Sequence, residues 1–437
     1  MAQRAQTLDD ARDVLELSPL DFLGGGRDEP ASDPAFYVEP PPRDEAADGL
    51  PGPGPERRLR DELLGRRLPT ALFLSGHVGS GKSTQINKLA ADEAVRAAFS
   101  VLLLRVEAEM IPFLDASQLL FLIAASIFDF GAREKLLSED AKWKGVLRDL
   151  DAQLFGQAGV TAKEGALSAE LNLFFVKLRQ DLRLSASRRE EFRKLGETQR
   201  SILLDLVKSL TLDVLGRLKE QARHHSLLLL IDDLDKVRGP EQQADIFHTN
   251  LGSLLTLPFH VLYTVPTGVV FGPNRVELRT YREHLYPVRV LDKSSGFDPE
   301  RAFIPGSDAF FRSALDRRVE PRLFDDAAVR LAAIYAGGVL REFFRFLRTA
   351  VGLARYNQLD VVDERAVRAA VRDERRRETM GLYAPDYLAL ASIHRAHVMP
   401  QDEDRRYLDE SRVIECYNGD TWYEVNPLLW KVLESRE

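Results

Sequence analysis

With a single cysteine, Cys416, in 437 residues, the chain can form neither an internal disulfide framework nor a cysteine-based zinc site, and it suits a reducing compartment. It also lacks a basic excess: 60 Lys and Arg stand against 68 Asp and Glu. Tight nucleic-acid binding needs clustered cations to neutralise phosphate, so the overall balance argues against it and leaves room only for a local basic face. Long apolar runs are missing as well. The longest, at 119–128 and 227–231, fall short of the roughly 18–20 residues that cross a bilayer, and no membrane-spanning helix is predicted. Asp9, Asp10, Asp13 and Glu16 stand where a secretory signal needs a basic start and an apolar core. A cytoplasmic protein is expected.

What is present is enough apolar residue, 44% of the chain, to build a sizeable core in two or three domains. Residues 1–57 carry Gly24-Gly25-Gly26, Pro40-Pro41-Pro42 and alternating Pro and Gly at 51–55, which oppose helix and sheet, so an irregular leader is expected. Its apolar island Phe36-Tyr37-Val38 reads equally as a docking segment or a surface strap. From 58 to 297, strand-like runs at 70–75, 101–106, 227–232, 261–265 and 287–291 alternate with helical stretches, one of them at 82–98. That order predicts an α/β fold with a parallel sheet covered on both faces. A helical insertion is expected at about 112–222, a helical domain at 298–379, and a small module at 380–437. In the last, helices at 387–397 and 402–409 precede a hairpin at 412–425, turned at Asn418-Gly419. Helices followed by a two-stranded wing suggest a winged-helix module.

Gly76-His77-Val78-Gly79-Ser80-Gly81-Lys82-Ser83 satisfies G-x-x-x-x-G-K-[ST] between a buried strand and a helix, the context a phosphate-binding loop requires. Glycine lets the backbone approach closely, and successive amides with the helix N-terminus face phosphate oxygens. Lys82 is then expected at the β- and γ-phosphates, Ser83 on Mg²⁺, and Thr84 near the α-phosphate. The apolar run at 227–231 ends in Asp232-Asp233-Leu234-Asp235, the arrangement of a Walker B element. Asp232 is placed to hold Mg²⁺, and Asp233 or Asp235 to orient the attacking water. ATP and Mg²⁺ are the expected ligands. His224-His225 has no partner cluster that would make a metal site.

The phosphate loop, the long delay and the box from Ile231 to Lys236 resemble the AAA+ and STAND divisions of P-loop NTPases, including KAP-type ATPases. The AAA+ pattern usually places Glu after the first Walker B Asp, whereas Asp233 stands here, which implies slow turnover and a switch rather than a motor. The resemblance makes Thr264, at the end of the next strand, the match for sensor 1. Gly337-Gly338-Val339-Leu340-Arg341 resembles the start of the sensor 2 helix of AAA+ lid domains, with Arg341 in the matching place. A cation in a first helical turn opposes the macrodipole, a cost that a bound γ-phosphate offsets. Arg279 and Arg282 lie where an arginine finger of a ring would sit.

A P-loop domain, helical lid and terminal winged helix together resemble the origin-recognition and initiator-loader clade, and bacterial ATPases of that build. This implies either a switch acting on a protein partner or neighbouring copies, as in phage defence, or a DNA-binding initiator, loader or transposition regulator. A nucleotide-binding scaffold without turnover is the third reading. The stretch at 400–410 opposes five carboxylates to Arg405 and Arg406, which disfavours DNA, because a groove-reading helix needs basic neighbours on phosphates.

Overall fold

The structure, a computed structural model, describes residues 4–15, 18–20, 22, 33–41, 53–138, 142–155, 167–221, 226–271, 281–399, 406–417 and 419–436. Five strands, β1 (Ala71–Gly76), β2 (Ser100–Arg105), β3 (Leu227–Asp232), β4 (His260–Thr264) and β5 (Arg282–Leu285), form a parallel sheet in the order β2-β3-β4-β1-β5. β1, β3 and β4 are buried at every position, which is why they are continuous apolar runs rather than alternating ones. Leu72, Leu74, Leu228 and Leu230 face helices α2 (Pro55–Gly65), α3 (Lys82–Ala91) and α4 (Glu93–Ala98). Phe73, Leu229, Ile231 and Tyr263 face the other way, toward α5 (Ala116–Arg133). Each such side chain contributes about 1.5–3 kcal/mol by leaving water, so the two layers fix the strand ends from which the site is built.

Two expectations need correction here. The run at 287–291 is not the fifth strand. Pro287 brings no amide to a ladder, the Val288 amide donates to Gly338 O at 3.0 Å, and only Leu291 forms an isolated bridge, to Phe303. The strand is instead the polar Arg282-Glu283-His284-Leu285, whose charge is met by a pair between Glu283 and Arg58 at 2.7 Å. The helix expected over 82–98 is two helices, because Asp92 leaves the helical conformation and caps α4 by accepting from Val95 N at 2.9 Å.

Between β2 and β3 stand α5, α6 (Trp143–Phe155), α7 (Leu167–Leu184) and α8 (Ala186–Glu220). By length and composition α5 could cross a membrane, but 78% of it is buried, packed on α8 and β2 as a core helix. Short helices α9 (Pro240–Ala244), α10 (Leu251–Leu255) and α11 (Thr267–Phe271) join β3 to the rest of the sheet. A second core holds α12 (Ala309–Asp316), α13 (Asp326–Tyr335), α14 (Leu340–Tyr356) and α15 (Glu364–Glu378). The C-terminal part comprises α16 (Ala384–Ala396), α17 (Arg406–Asp409), the antiparallel hairpin β6 (Val413–Tyr417) and β7 (Thr421–Val425), and α18 (Trp430–Glu434). Trp422 and Trp430 are buried in it.

The leader is less irregular than its composition suggests. α1 (Leu8–Val14) is capped by Thr7 and seats Leu8, Ala11 and Val14 in the second core against α14. The triple glycine and the prolines 42 and 51 lie outside the described residues.

Candidate functional site

The carboxyl ends of β1, β3 and β4 lie side by side, where open α/β sheets place their ligand sites. β1 ends at Gly76, and the loop that follows turns through Gly79 and Gly81, both at positive φ, before α3 starts at Lys82. The 5% exposed Lys82 sends Nζ to three oxygens: Gly76 O at 2.7 Å, His77 O at 3.0 Å and Asp235 Oδ2 at 2.9 Å. The cation expected at phosphate is thus held by the loop and by the last carboxylate of the acidic turn. Val78, Ser80, Ser83 and Thr84 line the same cleft.

Asp233 and Asp235 also line the cleft, and oxygens of Asp232, Asp233 and Asp235 all lie within 4.8 Å of one another. Burial first, and then the Asp233 charge, push Asp232 above the ordinary carboxylate range, while a hydrogen bond with the Ser83 side chain opposes the shift. Crowded carboxylates beside a hydroxyl are the oxygen-rich donor set that a hard cation such as Mg²⁺ takes, so the residues present fit that ion. Asp233 sits in the left-handed region at φ 73° and pairs with Lys236. Among non-glycine residues Asp is one of the few that tolerate this conformation, because its short side chain bonds locally. Here is a local reason for Asp where the AAA+ pattern has Glu.

His77 lies beside the cations of the loop. Its Nδ1 donates to Val78 O at 2.8 Å, and burial above all, with Lys82 and Arg341 adding to it, lowers its pKa to about 4. The ring is neutral at physiological pH.

The start of α14 also lines the cleft. Gly337 and Gly338, both at positive φ, lead into α14, and Arg341 in its first turn lies against the phosphate loop. A Cβ on Gly79 would stand 2.6 Å from Arg341 Cβ, so glycine there is what lets the two segments touch. Arg341 lines the cleft and makes no side-chain hydrogen bond or ion pair among the described residues. Arg345, one turn on, is instead tied to Glu342, to Glu374 at 3.3 Å and to Glu378 at 3.8 Å.

Sequence reasoning missed the rest of the lining. Leu20 reaches α3, its amide donating to Thr84 Oγ1 at 3.4 Å and its carbonyl accepting from Asn87 Nδ2 at 2.8 Å. The island at 36–38 docks: Phe36 is buried, and the Tyr37 ring lies 4.5 Å from Lys88 Nζ. Val38, Tyr286, Phe310 and Phe344 line the cleft as well. The only signal was that island of aromatic residues in a Pro/Gly-rich leader; nothing in the sequence marked Phe310 or Arg318, which come together only when the lid folds.

Thr264 does not line the cleft. It is fully buried, and its hydroxyl accepts from Leu234 N at 3.0 Å, so it braces the acidic turn. Arg282 is exposed at the start of β5, while Arg279, His224 and His225 lie outside the described residues.

No protein-family model matches the chain, and no curated protein matches it. Among solved structures it is similar to Drosophila ORC bound to DNA, at 12% identity and TM-score 0.39, over 100% of this chain and 95% of that one. It is also similar to the Aeropyrum pernix ORC2 protein in ADPNP-ADP complexes, at 13% and 0.40, over 92% and 96%. A third is Cdc6p from Pyrobaculum aerophilum, at 13% and 0.36, over 90% and 96%. Likenesses this distant carry no functional weight; the site does.

Proposed function

We propose that this chain binds ATP with Mg²⁺ in the cleft between sheet and lid and hydrolyses it slowly, as a switch of AAA+ type. One observation supports the reading: Lys82, Asp233, Asp235 and Arg341 line one cleft, Lys82 is paired with Asp235, and the oxygens of Asp232 lie within 4.8 Å of those of Asp233 and Asp235. In this reading Lys82 exchanges Asp235 for β- and γ-phosphate oxygens, and the loop amides from His77 to Ser83 donate to phosphate. Ser83 and Asp232 would hold Mg²⁺, which neutralises phosphate charge when bound. Asp235, once released by Lys82, orients the attacking water, with Asp233 the second candidate. Thr264 acts through the turn it braces. Arg341 meets the γ-phosphate and thereby couples its presence to the lid. The strand order and the shortened acid at 233 are in keeping with a switch of this build.

The output is proposed to pass to a protein partner or to neighbouring copies in the cytoplasm rather than to DNA. Arg406, the described basic residue of the acidic stretch, is already tied to Asp386. The test is Mg²⁺-dependent ATP turnover by wild type and Lys82→Ala, with and without duplex DNA at moderate salt. Turnover that vanishes in the variant and ignores DNA is expected. Stimulation by DNA would replace the partner-coupled reading with an initiator-type one, and turnover that survives in Lys82→Ala would remove the site from the reaction.

A further inference from the structure

The same cleft is lined by Arg318, only 6% exposed. Its guanidinium lies 4.5 Å from the Phe344 ring centre and 5.0 Å from that of Phe36. Nη1 donates to Ala314 O at 2.9 Å and to Phe36 O at 3.1 Å. Among the described residues no carboxylate pairs with it, and no hydrogen bond uses Nε or Nη2. Burial lowers its pKa to about 10, which leaves it charged at neutral pH.

A buried cation is ordinarily paired with an anion, because carbonyl dipoles and ring faces compensate only part of the lost hydration. Among the described residues nothing accepts from Nε or Nη2, and Arg318 lines the cleft, so we assign the remaining acceptors to a ligand there. Phosphate is a poor match for the neighbourhood of Arg318: the Phe36 and Phe344 rings lie against its guanidinium, and Tyr37, Val38 and Phe310 line the cleft with it. A flat heteroaromatic base, apolar on its faces and bearing acceptor nitrogens on its rim, fits both features.

Building on the ATP reading above, we propose that Arg318 is the base-reading residue of the site: its Nε–Nη2 edge donates to a ring nitrogen of the purine. The strap at 36–38 and the lid helices α12 and α14 then read the base together, because Arg318 is anchored to Phe36 and Ala314 and packed on Phe344. Affinity depends on the base as well as on the triphosphate.

The test measures Mg²⁺-dependent binding of ATP, its 1-deaza, 3-deaza and 7-deaza analogues, and inorganic tripolyphosphate, by calorimetry on the full chain. Arg318→Met keeps an unbranched apolar side chain between the two rings. A hydrogen bond from a charged donor predicts roughly a 10-fold or greater loss of ATP affinity in Arg318→Met, with tripolyphosphate binding unchanged. One deaza analogue should bind wild type about 10-fold more weakly than ATP by the same reasoning, and that gap should close in the variant. Equal weakening of ATP and tripolyphosphate, or a deaza gap that persists in Arg318→Met, overturns the assignment. If the variant does not fold, the wild-type series decides: equal affinity for all three analogues and ATP overturns it. Failure of the underlying site reading looks different, since wild type would then bind neither ATP nor tripolyphosphate.

Discussion

Ser75 Oγ, on the residue before the phosphate loop, lies 2.8 Å from His284 Nδ1, and the other ring nitrogen of that histidine lies 3.0 Å from Glu415 Oε2 in the C-terminal hairpin. All three side chains are buried, so the hairpin and the root of the loop share one polar contact across three strands. Burial pushes Glu415 well above its usual range; without His284 it would be left as a neutral acid with no partner. His284→Phe should therefore cost about 1–3 kcal/mol. His284→Phe combined with Glu415→Leu should recover part of that, since two apolar groups replace the orphan. Denaturant unfolding reads both, and a double variant no more stable than the single one would refute the link.

Arg341 and Arg345 are one turn apart and should separate function from stability. Arg341 has no partner to lose among the described residues, so Arg341→Ala should leave unfolding within about 0.5 kcal/mol while lowering ATP turnover roughly 10-fold or more, the usual scale for a lost transition-state contact. Arg345→Ala removes the cation shared by Glu342, Glu374 and Glu378, leaving the buried Glu374 with Arg377 alone among the described residues, at 2.8 Å, and should cost about 1–3 kcal/mol. Reversed effects in turnover and unfolding assays would move the functional arginine to Arg345.

Gly338 stands where the lid helix begins, at φ 83°, and an added Cβ would lie 1.8 Å from Val288 O, a backbone atom that cannot rotate away. Gly338→Ala should destabilise by more than about 2 kcal/mol. Gly352 is in α14 with open space around its Cβ position, so Gly352→Ala should stabilise by roughly 0.5–1 kcal/mol. Thermal unfolding of the two variants gives the comparison, and similar shifts in both would count against a tight lid junction.

His77 predicts a pH dependence of stability. Its folded pKa of about 4 is below the unfolded value near 6.5, so between these the unfolded chain takes up a proton that the folded one refuses. Stability should fall as pH drops through that window, by about 1.4 kcal/mol per unit at its steepest. Asp115 works in the opposite direction: burial, with Asp245, raises it to about 6, so its protonation favours the fold on acidification. The term for His77 is isolated by the difference between wild type and His77→Asn. Parallel stability curves for the two proteins would show that His77 is not held neutral.

The sheet and the phosphate loop were readable because burial demands continuous apolar strands and phosphate binding demands glycine, lysine and hydroxyl at fixed spacing. β5 was not, since its side chains are Arg, Glu and His satisfied by distant partners such as Arg58 and Ser75, and such pairing leaves no local period. Arg341 was marked by the glycines before it. The apolar lining of the cleft was hidden for the opposite reason: Leu20, Tyr37 and Phe344 come from segments far apart in sequence, and each alone looks like ordinary core. α1 escaped because seven residues carry too few turns to show a stripe.

Leu20 is bonded to α3 and Tyr37 lies on Lys88, while Arg318 of the lid side holds Phe36 and α1 packs on α14. The leader therefore crosses the cleft more than once before the sheet begins, fastened to both banks, in the manner of a ligament across a joint. Any movement of α12 and α14 away from α3 must release one of those fastenings first. Any force needed to part those two sides is then set in part by Leu20 and the segment at 36–37.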